Sequence, residues 1–232
     1  MKGAGYFRIF QIIRKTDMNI QETVTFIMEM IGTVAFAASG ALVGAGRGMD
    51  IFGVCVLGVV TSVGGGMIRD IVLGIIPPNM FQHPSYTIVA TITSCLVFLV
   101  LSVKRRLLEG HFKENYDRIM LVMDSIGLGI FTVVGVNTGI NNGYMDHTFL
   151  LVFLGTITGV GGGLLRDMMA GVPPYIFVRH VYACASIVGA IACVFIYRSF
   201  GAVEAMVGAS AVVIVIRYLA AHYHWNLPRL TE

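Results

Sequence analysis

Charge is what this sequence has least of. Only 12% of its 232 residues are Asp, Glu, Lys or Arg, against about a quarter in an ordinary soluble domain. With 56% hydrophobic residues and a mean hydropathy of +0.80, the composition excludes a soluble globular protein. It also excludes a nucleic-acid binder, which needs a clustered basic surface. Paired cysteine spacing is missing as well. Cys55, Cys95, Cys184 and Cys193 all fall in apolar runs and read as small buried hydrophobes, not as a disulfide framework or a metal site. No nucleophile stands beside a base and no phosphate loop follows a strand, so neither an enzyme nor a cofactor is expected. No secretory signal is evident in residues 1–17, where Arg8, Arg14 and Lys15 interrupt a short apolar patch and no small-residue cleavage site follows. That leader, taken to residue 23, reads as an amphipathic interfacial helix or a disordered segment.

Long apolar runs are what the chain does have. About 20 apolar residues cross a bilayer, and seven runs qualify, near 24–44, 51–74, 85–103, 119–139, 148–171, 180–198 and 201–221. The predicted fold class is an all-α integral membrane protein. Pro77-Pro78 and Pro173-Pro174 are expected to stop the second and fifth helices, because proline has no N–H to continue them. Asn137, Asn141 and Asn142 are expected to mark the end of the fourth. A polar linker, residues 104–118, divides the chain.

The two halves repeat. A shift of 97 carries Leu57-Gly58 onto Leu154-Gly155, Gly64-Gly65-Gly66 onto Gly161-Gly162-Gly163, and Arg69-Asp70 onto Arg166-Asp167. The same shift places Pro77 on Pro174 and His83 on His180, while a shift of 95 places Glu29 on Asp124, Gly32 on Gly127, Phe36 on Phe131 and Gly40 on Gly135. Residues 24–103 and 119–198 therefore form two three-helix repeats. Three is odd, so the second repeat enters the membrane from the opposite side, and such inverted pairs hold their site between them. The seventh helix, 199–222, has no counterpart, and 223–232 is a tail. Lysine and arginine gather on one side, at Arg47, Lys104, Arg105, Arg106, Lys113, Arg118, Arg179, Arg217 and Arg229. This predicts a cytoplasmic C-terminus and an outer N-terminus. Tyr218, Tyr223 and Trp225, with His222 and His224, suit an interfacial belt, with a His-x-His metal site as the lesser alternative. Glu204 reads as interfacial.

The two triplets are the candidate site. Each glycine weakens a helix by about 1 kcal/mol relative to alanine, and backbone loosened inside a bilayer must line protein or a hydrated cavity. Gly64 lies about 20 Å along its helix at about 1.5 Å per residue, near the midplane. The expectation is a kink or unwound turn at Gly64, Gly65, Gly66, Gly161, Gly162 and Gly163, with carbonyls facing a passage; close helix packing is the alternative. Arg69 and Arg166 then approach opposite mouths, either snorkelling or forming a structural salt bridge, or else lining or gating the passage beside a carboxylate that offsets their burial. Neighbours on a helix do not face each other, so Asp70 and Asp167 are expected to cap, or to contact, a different helix from the adjacent arginine. Glu29 and Asp124 are the leading candidates to neutralise the arginines. Thr61, Ser62 and Thr158, one turn before the triplets, could serve an ion or bond back to their own helix.

The doubled Gly-Gly-Gly-x-x-Arg-Asp, each copy inside a three-helix repeat and followed by a seventh helix, resembles the trimeric intracellular cation (TRIC) channel family. The prokaryotic branch is the nearer likeness; it overlaps bacterial membrane proteins named for a glycine-transporter domain. The likeness covers about residues 24–222. It implies a homotrimer in a prokaryotic inner (plasma) membrane, with lipid around it and one potassium-preferring pore per subunit that passes K+ and Na+. It also implies that the glycine kinks fall in the second and fifth helices. The animal members' Lys-Glu-Val signature is not found, so the resemblance does not extend to lipid-plugged gating. A secondary transporter of glycine or a similar zwitterion is the alternative.

Overall fold

A computed structural model describes the backbone of residues 3–105, 112–178, 181–223 and 225, and the side chains of 20–103, 116, 118–177, 181–223 and 225. Among these residues every regular element is a helix: α1 (Gly3–Gly46), α2 (Ile51–Val72), α3 (Asn79–Gln82), α4 (Ser85–Arg105), α5 (Phe112–Asn141), α6 (Thr148–Met169), α7 (Tyr175–Val178), α8 (Tyr182–Phe200) and α9 (Ala202–His222). Seven are long and apolar enough to span a bilayer, within a few residues of the predicted runs: Ile20–Gly46, Ile51–Val72, Ser85–Val103, Arg118–Asn141, Thr148–Met169, Tyr182–Phe200 and Ala202–His222. The backbone of α1 is already helical from Gly3; the polarity of the leader's faces lies outside the described side chains.

Glycine, not proline, ends the central helices. Gly74 and Gly171 adopt φ of +70° and +62°, the left-handed conformation that costs glycine least. The loop closes back on the last turn through Gly74 N–H to Ile71 O and Ile75 N–H to Asp70 O, and likewise Gly171 N–H to Met168 O and Val172 N–H to Asp167 O. The proline pairs sit two to four residues after these glycines and lead into α3 and α7, two short helices that hydropathy alone does not reveal. From there the correspondence between repeats is 96, not 97. Asn79 and Tyr175 make the same backbone bond, and Gly58 faces Ser94 where Gly155 faces Ala190. The second copy is one residue shorter in this loop, so Pro77 and His83 are not the partners of Pro174 and His180.

The packing follows the duplication. α1 and α2 pack together as α5 and α6 do, α4 lies against both α1 and α2, and α8 lies against both α5 and α6. The repeats meet where α2 crosses α6 and α1 meets α5, while α9 packs mainly on α5 and α8. At the crossing, a Cβ added at Gly65 would stand 2.1 Å from Thr158 O, and one at Gly162 would stand 2.0 Å from Thr61 O. Only a residue without a side chain allows backbones this close. Both triplets stay helical without a break. The unwound turns expected there are absent, because the glycines are held by the facing helix and their N–H groups never leave the helical ladder.

Candidate functional site

Beside the crossing each repeat builds the same unit. Arg69 Nε and Nη2 donate to Asp70 Oδ1 at 2.9 and 2.7 Å, and Asp70 Oδ2 accepts the Asn79 N–H at 2.8 Å. Arg166 Nε donates to Asp167 Oδ1 at 2.8 Å, and Asp167 Oδ2 accepts the Tyr175 N–H at 2.8 Å. Each aspartate thus neutralises its neighbouring arginine and caps the short helix that follows. Each aspartate caps a different helix, as expected, but does not part from its neighbour: an arginine side chain is long enough to fold back on the next residue. All four side chains are buried, which a membrane interior tolerates only for paired charges.

Beyond that unit the repeats differ. Arg166 Nη1 reaches across to Asp124 Oδ1 at 2.5 Å and donates to the Ser39 hydroxyl, which itself bonds Asp124. Glu29, at the matching position, accepts from the Tyr86 hydroxyl instead and forms no ion pair among the described residues. Of the two carboxyls expected to neutralise the arginines, Asp124 does so and Glu29 does not. At the position matching Ser39 the second repeat has Val134, which has no hydroxyl to offer Arg69. The unpaired α9 adds Arg217, whose Cζ lies 4.7 Å over the Tyr182 ring. Arg217 is only 1% exposed, so it belongs to this buried cluster and drops out of the interfacial charge count. Arg166 Nη2, Asp124 Oδ2 and the Tyr182 hydroxyl find no well-formed partner among the described residues.

Two hollows flank this cluster. One, of about 240 Å³, is lined by Glu29, Thr33, Ser62, Arg69, His83 and Tyr86, toward the face where the first span begins. The other, of about 460 Å³, is lined by Arg47, Tyr116, Met120, Asp167, Pro173 and Tyr175, toward the opposite face. Between them lie the Asp124–Arg166 pair and the rings of Phe36 and Phe131, whose centroids are 5.2 Å apart. The rings obey the pseudo-symmetry: Phe36 fills the space over Gly127, and Phe131 the space over Gly32.

Known proteins resemble this chain in sequence and fold. A family model described as Glycine transporter matches the chain twice, over residues 26–102 and 121–198. The UPF0126 inner membrane protein YadS of Escherichia coli K12 is 36% identical over 208 residues, spanning 88% of this chain and 95% of YadS. A structure described as the basis for conductance through TRIC cation channels superposes with a TM-score of 0.76 at 32% identity, covering 89% of this chain and 97% of that one. The TRIC trimeric intracellular cation channel orthologue from Rhodobacter sphaeroides gives 0.77 at 30%, covering 88% and 100%. The chain belongs to the prokaryotic TRIC-like family.

In this TRIC-like protein the remaining candidates have plain positions. Thr61 and Thr158 donate to Leu57 O and Leu154 O of their own helices at 2.6 and 2.5 Å, and Ser62 donates to Gly58 O at 2.7 Å. Of the three, only Ser62 also borders the first hollow. Gly66 and Gly163 lie beside the guanidinium of the arginine one turn on. Asn141 ends α5, but Asn137 is buried a turn earlier and accepts from Gln21 of α1 at 3.1 Å. Glu204 is exposed in the first turn of α9. His224 lies outside the described residues, so the His-x-His alternative is not addressed by them. Sequence reasoning passed over Ser39, Tyr86, Tyr182 and Asn79, which carry no pattern. It had signals for Phe36 and Phe131, which stood in the repeat match, and for Arg217, a charge within an apolar run.

Proposed function

We propose that this TRIC-like chain is a passive, potassium-preferring channel for monovalent cations, with one path in each subunit of a homotrimer in a prokaryotic inner membrane. The observation that carries the reading is the pair of hollows on opposite faces of the inverted-repeat seam, each bordered by charged side chains and divided by one aromatic pair and one buried ion-pair cluster. The solved structures it resembles are described as cation channels, which supports the same reading. A cation arriving in the first hollow meets oxygens of Glu29, Thr33 and Ser62, while Asp70 holds Arg69 neutral so that it does not repel the ion. Phe36 and Phe131 form the dry constriction. Asp124 and Asp167 neutralise Arg166 beyond it. Each buried polar atom without a partner costs about 1–3 kcal/mol, so admitting water to the Arg166 cluster is favoured once the seam parts. The glycine triplets keep α2 and α6 close enough for small shifts to open or shut the seam. The charge count supports a first hollow that opens outside and a second that opens to the cytoplasm.

A secondary transporter of glycine or a similar zwitterion is the second reading. The family model's description favours it, as does a seam sealed more tightly in one half than the other, the form that alternating access takes in inverted repeats. Purified protein in a planar bilayer under asymmetric KCl separates the two. Unitary currents are expected for the channel. Saturable uptake of labelled glycine into liposomes, without unitary currents, would replace the channel reading with the transporter.

A further inference from the structure

Cys55 of α2 and Cys95 of α4 place their sulfurs 3.3 Å apart, and both are free thiols, half-buried. The helices carrying them are in close contact at this level, since a Cβ on Gly58 would meet Ser94 Oγ at 2.0 Å. A disulfide needs the sulfurs about 2.05 Å apart, so the gap to close is a side-chain adjustment and not a movement of helices. Packing does not call for sulfur here. The corresponding positions of the second repeat hold Val152 and Ile191, which bring α6 and α8 together with hydrocarbon alone. An apolar groove of about 470 Å³, lined by Ile51, Phe52, Cys55, Val59, Val60 and Thr91, leads from the outer surface of α2 to the Cys55 sulfur, so a lipid-soluble oxidant can reach the pair.

We propose that Cys55 and Cys95 are a reversible disulfide site whose oxidant is a membrane-soluble quinone. The two thiols lose two protons and two electrons and join as a disulfide; the quinone takes up both and leaves as the hydroquinone. Such a bond fastens α2, which carries the glycine crossing, to the peripheral α4. Away from oxidising compartments, disulfides of this kind mark redox sensing more often than permanent stapling.

The test uses the full-length protein in liposomes with duroquinone, whose substituted ring leaves no free carbon for thiol addition. Peptide mapping after alkylation should show a Cys55–Cys95 link and the loss of two alkylatable thiols, with Cys184 and Cys193 still alkylated and both thiols regained after dithiothreitol. The C55S and C95S proteins should form no link. Failure of the wild-type pair to couple, or coupling that instead consumes Cys184 or Cys193, overturns the proposal. Mass alone scores the result, so it stands or falls whether or not the protein conducts.

Discussion

Replacing Asp124 with asparagine keeps the shape of the side chain and removes the charge that Arg166 Nη1 faces at 2.5 Å. Removing one partner of a buried ion pair costs about 3–5 kcal/mol. Arg166 keeps Asp167 at 2.8 Å and the Ser39 hydroxyl, so the lower end applies, about 3 kcal/mol. Where that loss appears depends on which forms contain the pair. If it exists only in the sealed form, a destabilisation of about 3 kcal/mol moves the sealed-to-open ratio by about 150-fold. The D124N protein should then pass K+ far faster than wild type, up to the ceiling set by a fully open path. Thermal melting in detergent should fall as well, because the sealed form is the one that melts. Potassium efflux from liposomes, followed by a fluorescent indicator beside a melt of the same preparation, reads both. A lowered melting temperature with unchanged efflux would refute the reasoning: the pair would be a brace common to both forms, and the gate would lie elsewhere.

The matching change in the other half, Glu29→Gln, disturbs no ion pair; it should reduce unitary K+ conductance while leaving stability within about 1 kcal/mol of wild type, and a larger loss, read as a lowered melting temperature, would make Glu29 structural. Gly65→Ala and Gly162→Ala drive a methyl into the facing Thr158 and Thr61 carbonyls and should give poorly folded protein by fluorescence-detected size exclusion, whereas Gly66→Ala meets only Arg69 Nη2 at 3.7 Å and should elute as wild type. Gly74→Ala places a side chain at φ +70° and should destabilise by about 1 kcal/mol, visible as a lower melting temperature. Duroquinone should slow wild-type K+ efflux, dithiothreitol should restore it, and the C55S protein should be indifferent to both.

The spans were legible because hydropathy needs only composition over a window, and the lipid-facing and core-facing sides of α4 or α8 do not have to be told apart to count them. The duplication was legible because symmetry-related packing demands the same small residue in both copies: Gly40 faces Thr61 and Leu57 O, and Gly135 faces Thr158 and Leu154 O. Of the two readings of the triplets, close packing is the one the backbone shows. A run of three glycines is as weak a helix in isolation as the propensities say, yet the close approach of Gly65 to Thr158 O and of Gly162 to Thr61 O is a tertiary fact that no local pattern encodes. The same limit hid Tyr86 and Tyr182, which matter through partners in other helices: Glu29, 57 positions away, for the Tyr86 hydroxyl, and Arg217 over the Tyr182 ring. It also hid the one-residue deletion before α7: an offset of 97 still sets Pro77 on Pro174, whereas 96 aligns both prolines, and the matching bonds at Asn79 and Tyr175 decide for 96.

A fold made of two equal inverted copies has no reason to be tighter in one half than the other; something outside the duplication must decide. Here three departures from the repeat converge on one place. Ser39 stands where the partner copy has Val134, Asp124 where it has Glu29, and Arg217 comes from the helix that has no partner at all. Together they give the Arg166 cluster two guanidinium groups and two carboxylates, a balanced set that can be buried, and they leave Arg69 with Asp70 alone beside a second carboxyl that no arginine claims. The first hollow therefore reaches in as far as Glu29, while the buried cluster at Asp124 closes the seam off from the second. On this reading the seventh helix is more than an anchor. By laying Arg217 over Tyr182 it completes the half that must open, and any signal that moves α9 against α8 acts directly on the residues holding that half shut.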